Sequence, residues 1–138
     1  MKFLLSSFFS VLLLGSIVAA QSLPPGKWRL EEYRFGSTTE HTLKGVQTTL
    51  VVKSDGKLGG DSGCNAYGGS YSTDNGKLKI ADIISTMRAC EEPSPTFESG
   101  FFDVLEKANS AKVEGDALVI FDKDSRYLRF VRDGEGAN

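Results

Sequence analysis

Gly63-Cys64-Asn65-Ala66-Tyr67-Gly68-Gly69-Ser70-Tyr71 is the stretch whose reading decides the fold. Glycine supplies positive φ and close backbone approach that a Cβ forbids, and asparagine is the next most tolerant of the left-handed region. Gly-Cys-Asn therefore reads as a strand turning sharply back on itself at a cysteine. The residues after it form a short strand with Tyr71 directed to one face. The chain has one further cysteine, which ends Ser85-Thr86-Met87-Arg88-Ala89-Cys90.

Working outward, the pattern on both sides is mostly strand. Lys27-Trp28-Arg29-Leu30 alternates apolar and polar before Tyr33 and Phe35, and Glu31-Glu32 predicts a bulge or change of face. A polar loop over Gly36–Gly45 follows. Val46, Thr48, Leu50 and Val52 share one face of the next strand, which turns at Ser54-Asp55-Gly56 into Lys57-Leu58. Gly59 and Gly60 predict strong local bending. Asp74-Asn75-Gly76 is a hairpin turn feeding Leu78 and Ile80, and Ile83-Ile84 leads to the second cysteine segment. Three more strands are expected around 112–114, 117–121 and 127–131, joined by turns at Gly115-Asp116 and Asp122–Ser125.

One helix interrupts the strands. Ser94 suits the N-cap and Pro95 the first helical position. Glu91, Glu92 and Glu98 place negative charge where the helix dipole favours it. Phe97, Phe101, Leu105 and Ala108 recur at helical spacing, Phe102 widens the stripe, and Asn109 is placed to end it. Short strands joined by tight turns predict a mainly β fold, a small curved antiparallel sheet or barrel covered by one amphipathic α-helix. Its core includes Leu50, Ile80, Phe101 and Leu118.

The N-terminus reads as an export signal. Lys2 precedes an apolar run from Phe3 to Val18, and Val18-Ala19-Ala20 sets small residues before a cut ahead of Gln21. The run is short for a membrane-spanning helix of about 20 residues, so no membrane span is expected after processing. Bacterial lipoproteins need a cysteine just after the cut, where Gln21 stands. With residues 1–20 of the 138 removed, 118 remain, one domain's worth; 133–138 is a polar, Gly-rich tail expected to fray. Loss of Lys2 takes the formal net charge from −2 to −3. That mild acidity gives no electrostatic case for nucleic acid. No Asn-x-Ser/Thr sequon occurs, so N-glycosylation is not expected. An export route carries both cysteines to an oxidising compartment, where they either pair or remain free or intermolecular.

The two cysteine segments together resemble the signature of the META domain (HslJ-like) family, a Gly-Cys-Asn-x-Tyr-x-Gly-x-Tyr block followed by Ser/Thr-x-x-Ala-Cys. The resemblance covers Pro25 to about Val131 and places the domain at 25–132. It implies a small curved antiparallel barrel with one helix and a Cys64–Cys90 bridge at its central corner. The bridge requires Cα atoms within about 7 Å, and the place of Gly63 in the turn predicts φ > 0 there. In the block, Asn65 is expected to bond its own backbone neighbours and Tyr67 to cover the disulfide. Asn65, Tyr67, Tyr71 and Arg88 are the motif residues with a possible binding role. The family carries no agreed biochemical activity. HslJ-like members are linked to heat or envelope stress and drug tolerance, and META relatives to virulence and secretion.

The residues give little support to catalysis. Gly60-Asp61-Ser62-Gly63 matches the surroundings of the trypsin-like nucleophile, but that chemistry needs a base held by a buried acid. The only histidine, His41, lies in the polar loop. One histidine is no zinc site, Cys64 and Cys90 are not a Cys-x-x-Cys redox pair, and Asp122–Ser125 lacks the glycine and distal glutamate of a calcium loop. No catalytic, cofactor-binding or metal-binding residue is therefore expected, and no cofactor. Trp28, Tyr33, Tyr67, Tyr71 and Tyr127 either line a ligand cavity in the barrel mouth or fill the interior.

Two functional expectations follow. One is a non-enzymatic domain, secreted or periplasmic and monomeric, acting in the envelope or outside the cell or in a stress response, with a protein or small-molecule partner. The other is a secreted barrel that binds a small apolar ligand or inhibits a hydrolase, through its mouth or the loop Gly36–Gly45. An open cavity favours the ligand; a filled barrel with a rigid protruding loop favours the inhibitor.

Overall fold

The computed structural model describes residues 23–42 and 46–134. The expected export signal at 1–20, its cut before Gln21 and the last four residues of the tail lie outside the described residues. Within them the strands are β1 Gly26–Arg34, β2 Glu40–His41, β3 Thr49–Val52, β4 Lys57–Asp61, β5 Ala66–Asp74, β6 Lys77–Ser85, β7 Ala108–Glu114, β8 Ala117–Asp122 and β9 Tyr127–Arg132. Helix α1, Ser94–Glu106, is inserted between β6 and β7. All ladders are antiparallel, in the order β6-β5-β4-β3-β1-β9-β8-β7, with β2 paired to β1 off this path. The end strands β6 and β7 come close to each other without a ladder. The result is a nearly closed antiparallel barrel, mostly β with one helix, as the turn-punctuated sequence predicts.

Local chemistry explains the path. In β1, Trp28 and Leu30 face the core on even positions and Tyr33 on an odd one. The register with β9 shifts between Leu30 and Glu32, so one extra residue changes the face, as a bulge does. Asn75 and Gly76 have φ of 49° and 76° between the paired residues Asp74 and Lys77, the two left-handed residues that a tight hairpin matching strand twist needs. At Asp122–Ser125 the Asp122 carboxylate accepts from the N–H groups of Asp124 (2.8 Å) and Arg126 (3.0 Å) and pairs with Arg126 Nε at 2.6 Å. Those oxygens hold a hairpin turn.

The interior is filled. Trp28, Leu30, Leu50, Leu118, Ile120, Leu128 and Phe130 are buried from the sheet, and Phe101, Val104 and Leu105 from α1. The Phe101 ring meets Tyr67 of β5 at 5.5 Å and Phe130 of β9 at 6.5 Å, so the helix bridges strands far apart in the sheet order. Both ends of α1 differ from expectation. Pro93 occupies the N-cap, Ser94 and Pro95 lie inside the first turn, and the Glu92 carboxylate accepts from the Thr96 N–H at 3.3 Å. The helix stops at Glu106, because Ala108 already pairs with Asp122 as the start of β7. Ladder pairing there overrides the helical spacing of Ala108. Among the described residues no helix is long and apolar enough to cross a membrane.

Candidate functional site

The corner between β4 and β5 is built from backbone constraint outward. Gly63 has φ 95°, and a Cβ there would stand 2.6 Å from Val46 Cγ1. Beside it Cys64 is bonded to Cys90, with Cα atoms 6.1 Å apart. The Gly63 N–H donates to Asp61 Oδ1 at 2.8 Å, and the Ser62 N–H donates to the Asn65 carbonyl at 2.8 Å, closing the turn.

Asn65 is buried, and its side chain bonds outside its own turn. Nδ2 donates to both Glu98 carboxylate oxygens of α1, at 2.9 and 3.0 Å. Oδ1 accepts from Thr86 Oγ1 at 2.9 Å and from the Arg88 N–H at 2.7 Å. One amide thus joins the helix to the segment that carries Cys90. The expected bonding to near neighbours falls to the Asn65 backbone instead, whose N–H donates to Ser62 Oγ at 3.0 Å. Ser62 is also buried and lies against Glu98; its single proton goes to the carboxylate, the stronger acceptor. A serine so placed is a donor locked in a structural network. His41 is exposed and lies 4.0 Å from Glu32.

Tyr67 packs edge-on against Phe101 and Phe102, and its hydroxyl donates to the Thr49 carbonyl at 2.7 Å. Its aromatic contacts are with Phe101 and Phe102 of the helix. Burial drives the Tyr67 phenol well above its ordinary pKa. The Tyr71 hydroxyl donates to the Lys53 carbonyl at 2.6 Å. Arg88 contributes its backbone to the corner and leaves its side chain exposed.

Among the described residues the aromatics are divided between the core and separate clefts. Trp28 lies inside the barrel, with Arg132 4.2 Å from its ring centroid and Nε1 donating to Pro24 O at 3.2 Å. Tyr127 donates to Glu32 at 2.5 Å and lies 3.1 Å from the Thr39 hydroxyl; burial raises its pKa. Tyr33 meets Phe35 in a tilted pair and Phe97 edge-to-face beside a cleft of ≈ 220 Å³ that Val46, Thr48 and Pro93 also line. Its hydroxyl donates to Glu40 at 3.0 Å, and burial followed by that carboxylate pushes its pKa up to about 12.

Sequence reading missed Glu98 and Thr86 as parts of the corner. Sequence position suits Glu98 to the helix dipole, yet it sits three residues before Phe101, on the inward side of the helix. A buried asparagine beside a cysteine corner demands partners, and that demand was the available signal. Among the described residues every buried side-chain nitrogen and oxygen has a partner. No group of three or more potential metal ligands gathers among them.

The exposed product of this corner is the chain from Thr86 to Ala89. It continues β6 without a turn or bend, and Met87 is 96% exposed. Its backbone is held by the Thr86 N–H to the Ala66 carbonyl at 2.9 Å, by Asn65 at Arg88, and by the bridge at Cys90.

The family model for the META domain matches residues 21–135. Among solved structures, a protein from Burkholderia xenovorans solved by NMR is similar at 24% identity, with TM-score 0.66 over 82% of this chain and 85% of that one. A DUF4847 family protein from Bacteroides vulgatus is similar at 13% identity, TM-score 0.60, over 80% and 94%. At these identities the likeness is one of fold. No curated protein matches significantly.

Proposed function

Since its META domain match spans residues 21–135, this chain belongs to the META domain family, and on that premise we propose that it is an exported, non-catalytic domain that binds a protein partner through the rigid segment Thr86–Ala89. One observation carries the reading. The polar groups of the family block are spent internally on fixing that segment, while the side chains of Met87 and Arg88 are left in solvent. The packed core supports it too, since among the described residues Trp28, Phe101 and Phe130 fill interior positions of the barrel. The site of action is the periplasm or the extracellular space, the setting of the stress-linked relatives that the sequence resembles. The Cys64–Cys90 bridge is compatible with that setting.

Export is tested by N-terminal sequencing of the protein from its native compartment, which should begin within a residue or two of Gln21. Binding is tested with a photo-crosslinking side chain at position 87 and, as control, at Val113, which is also exposed. Capture of one partner at 87 and none at 113 is expected; equal capture at both overturns the reading. Ser62→Ala and His41→Ala should leave any phenotype intact wherever the protein remains folded.

The Tyr33–Phe97 cleft favours a second reading, a small apolar ligand with a donor for Glu40. At ≈ 220 Å³ it falls below the about 300–1,000 Å³ of ordinary ligand sites, which puts that reading second.

A further inference from the structure

We propose that Thr86-Met87-Arg88 is a substrate-like segment that enters the cleft of a serine endopeptidase with an apolar primary pocket and is released intact, so that the protein acts as an inhibitor. This rests on the surface-binding reading above and names the partner's chemistry.

Backbone polarity comes first. Ser85 stands opposite Tyr67, and the Thr86 N–H donates to the Ala66 carbonyl. In an antiparallel ladder that makes Ser85–Tyr67 a non-hydrogen-bonded pair. The N–H and C=O of Ser85 therefore point to the open side of β6. The inward N–H groups are those of Thr86 and Arg88, so that of Met87, between them, faces outward. A peptidase binds its substrate by adding it as a strand to an edge of its own cleft, and an outward edge of this kind is what such a cleft accepts.

Side chains agree with this. Met87 is 96% exposed, unbranched and apolar, suited to a deep hydrophobic slot. Ile84, three residues upstream, is 76% exposed and supplies a second apolar anchor. Large aliphatic groups left this bare on one short segment are unexplained by folding.

The segment is also pre-ordered, which removes the entropy cost a flexible substrate bears on binding. Glu98 orients Asn65, Asn65 holds Thr86 and Arg88 on either side of Met87, and the bridge fixes Cys90. When the enzyme's serine Oγ attacks the Met87 carbonyl carbon, an ester bond forms and the Met87–Arg88 C–N bond breaks. The serine proton passes through the enzyme's histidine to the departing Arg88 amine. That amine remains hydrogen-bonded to Asn65 and tethered two residues on by the bridge. It re-attacks the ester, the proton returns to the serine, and the peptide bond re-forms before water takes its place.

The test uses the oxidised protein with subtilisin, chymotrypsin and trypsin as probes, measuring inhibition of small-peptide hydrolysis and mapping any cut in the inhibitor. Stoichiometric, reversible inhibition of subtilisin or chymotrypsin is expected, with hydrolysis confined to Met87–Arg88. Met87→Gly, at an exposed position with no packing to lose, should weaken inhibition about 30-fold or more. Met87→Lys should move inhibition to trypsin, whose pocket takes a basic side chain. Asn65→Ala should turn the inhibitor into a substrate that is cut and released. Absence of inhibition of all three enzymes overturns the proposal, as does inhibition indifferent to Met87→Gly, or rapid cleavage of the native protein. If position 87 crosslinks a partner that is not a peptidase, surface binding stands and this proposal falls.

Discussion

Asn65→Ala isolates the corner from the rest of the fold. The substitution removes Nδ2, which donates to Glu98 at 2.9 and 3.0 Å, and Oδ1, which accepts from Thr86 and Arg88 at 2.9 and 2.7 Å. A hydrogen bond to a charged group contributes about 1.5–3 kcal/mol, and a neutral one about 0.5–1.5 kcal/mol. Thr86 and Arg88 are exposed and rehydrate when freed, so each belongs at the low end of its range. The expected loss is then about 2.5–4 kcal/mol, a large share of the about 5–15 kcal/mol of an ordinary domain. Urea unfolding should show a lower midpoint at unchanged slope, and hydrogen exchange at the Arg88 amide should accelerate. Asn65→Asp sharpens the test by facing Glu98 with a second carboxylate. It should be the more destabilising of the two variants, because it also sets two like charges against each other. A loss below about 1 kcal/mol in Asn65→Ala, with the Arg88 amide still protected, would refute the idea that this amide holds the segment.

Three other outcomes follow from the geometry. Replacing both Cys64 and Cys90 by alanine should lower stability by about 2–4 kcal/mol, with the fold retained, because Leu50, Ile80, Phe101 and Leu118 are buried independently of the bridge; circular dichroism and urea unfolding measure both. Gly63→Val combines a left-handed φ with a Cβ 2.6 Å from Val46. It should cost about 3 kcal/mol or more, and a thermal midpoint near wild type would contradict the turn described here. Tyr33 should ionise near pH 12, since its pKa is raised to about 12. A raised folded-state pKa means full stability below the unfolded value of about 10 and progressive loss as pH climbs from there through the folded value. Tyr33→Phe should remove the phenolate absorbance step near that pH, and a Tyr33 step found near pH 10 would contradict the burial and the Glu40 bond.

The features legible in the sequence depend on residues close together along the chain. The hairpin at Asn75-Gly76, the bulge at Glu31-Glu32 and the buried Leu50 and Val52 of β3 follow from spacing and turn chemistry, whereas Val46 and Thr48, expected on the same strand, lie before it and Val46 is half-buried. The helix ends were misread for a related reason. Ala108 continues the apolar spacing of α1, and only its pairing with Asp122 draws it into β7. Local preference set the expectation, and a ladder to a later strand decided the outcome.

The corner depended on separation of another order. Asn65 and Glu98 are 33 positions apart, and no periodicity links them. Their meeting requires that α1 lie across the barrel with Phe101 between Tyr67 and Phe130. Once Phe101 is seated there, Glu98, one turn earlier on the same face, falls against the Gly63–Asn65 turn. The apolar stripe of the helix therefore positions a carboxylate, the carboxylate orients an amide, and the amide fixes two points of an exposed chain. Sequence reading placed Asn65 and Arg88 in one motif without a physical link between them. That link is a single hydrogen bond of 2.7 Å from the Arg88 N–H to Asn65 Oδ1, and it makes the rigidity of the exposed segment depend on packing in the core.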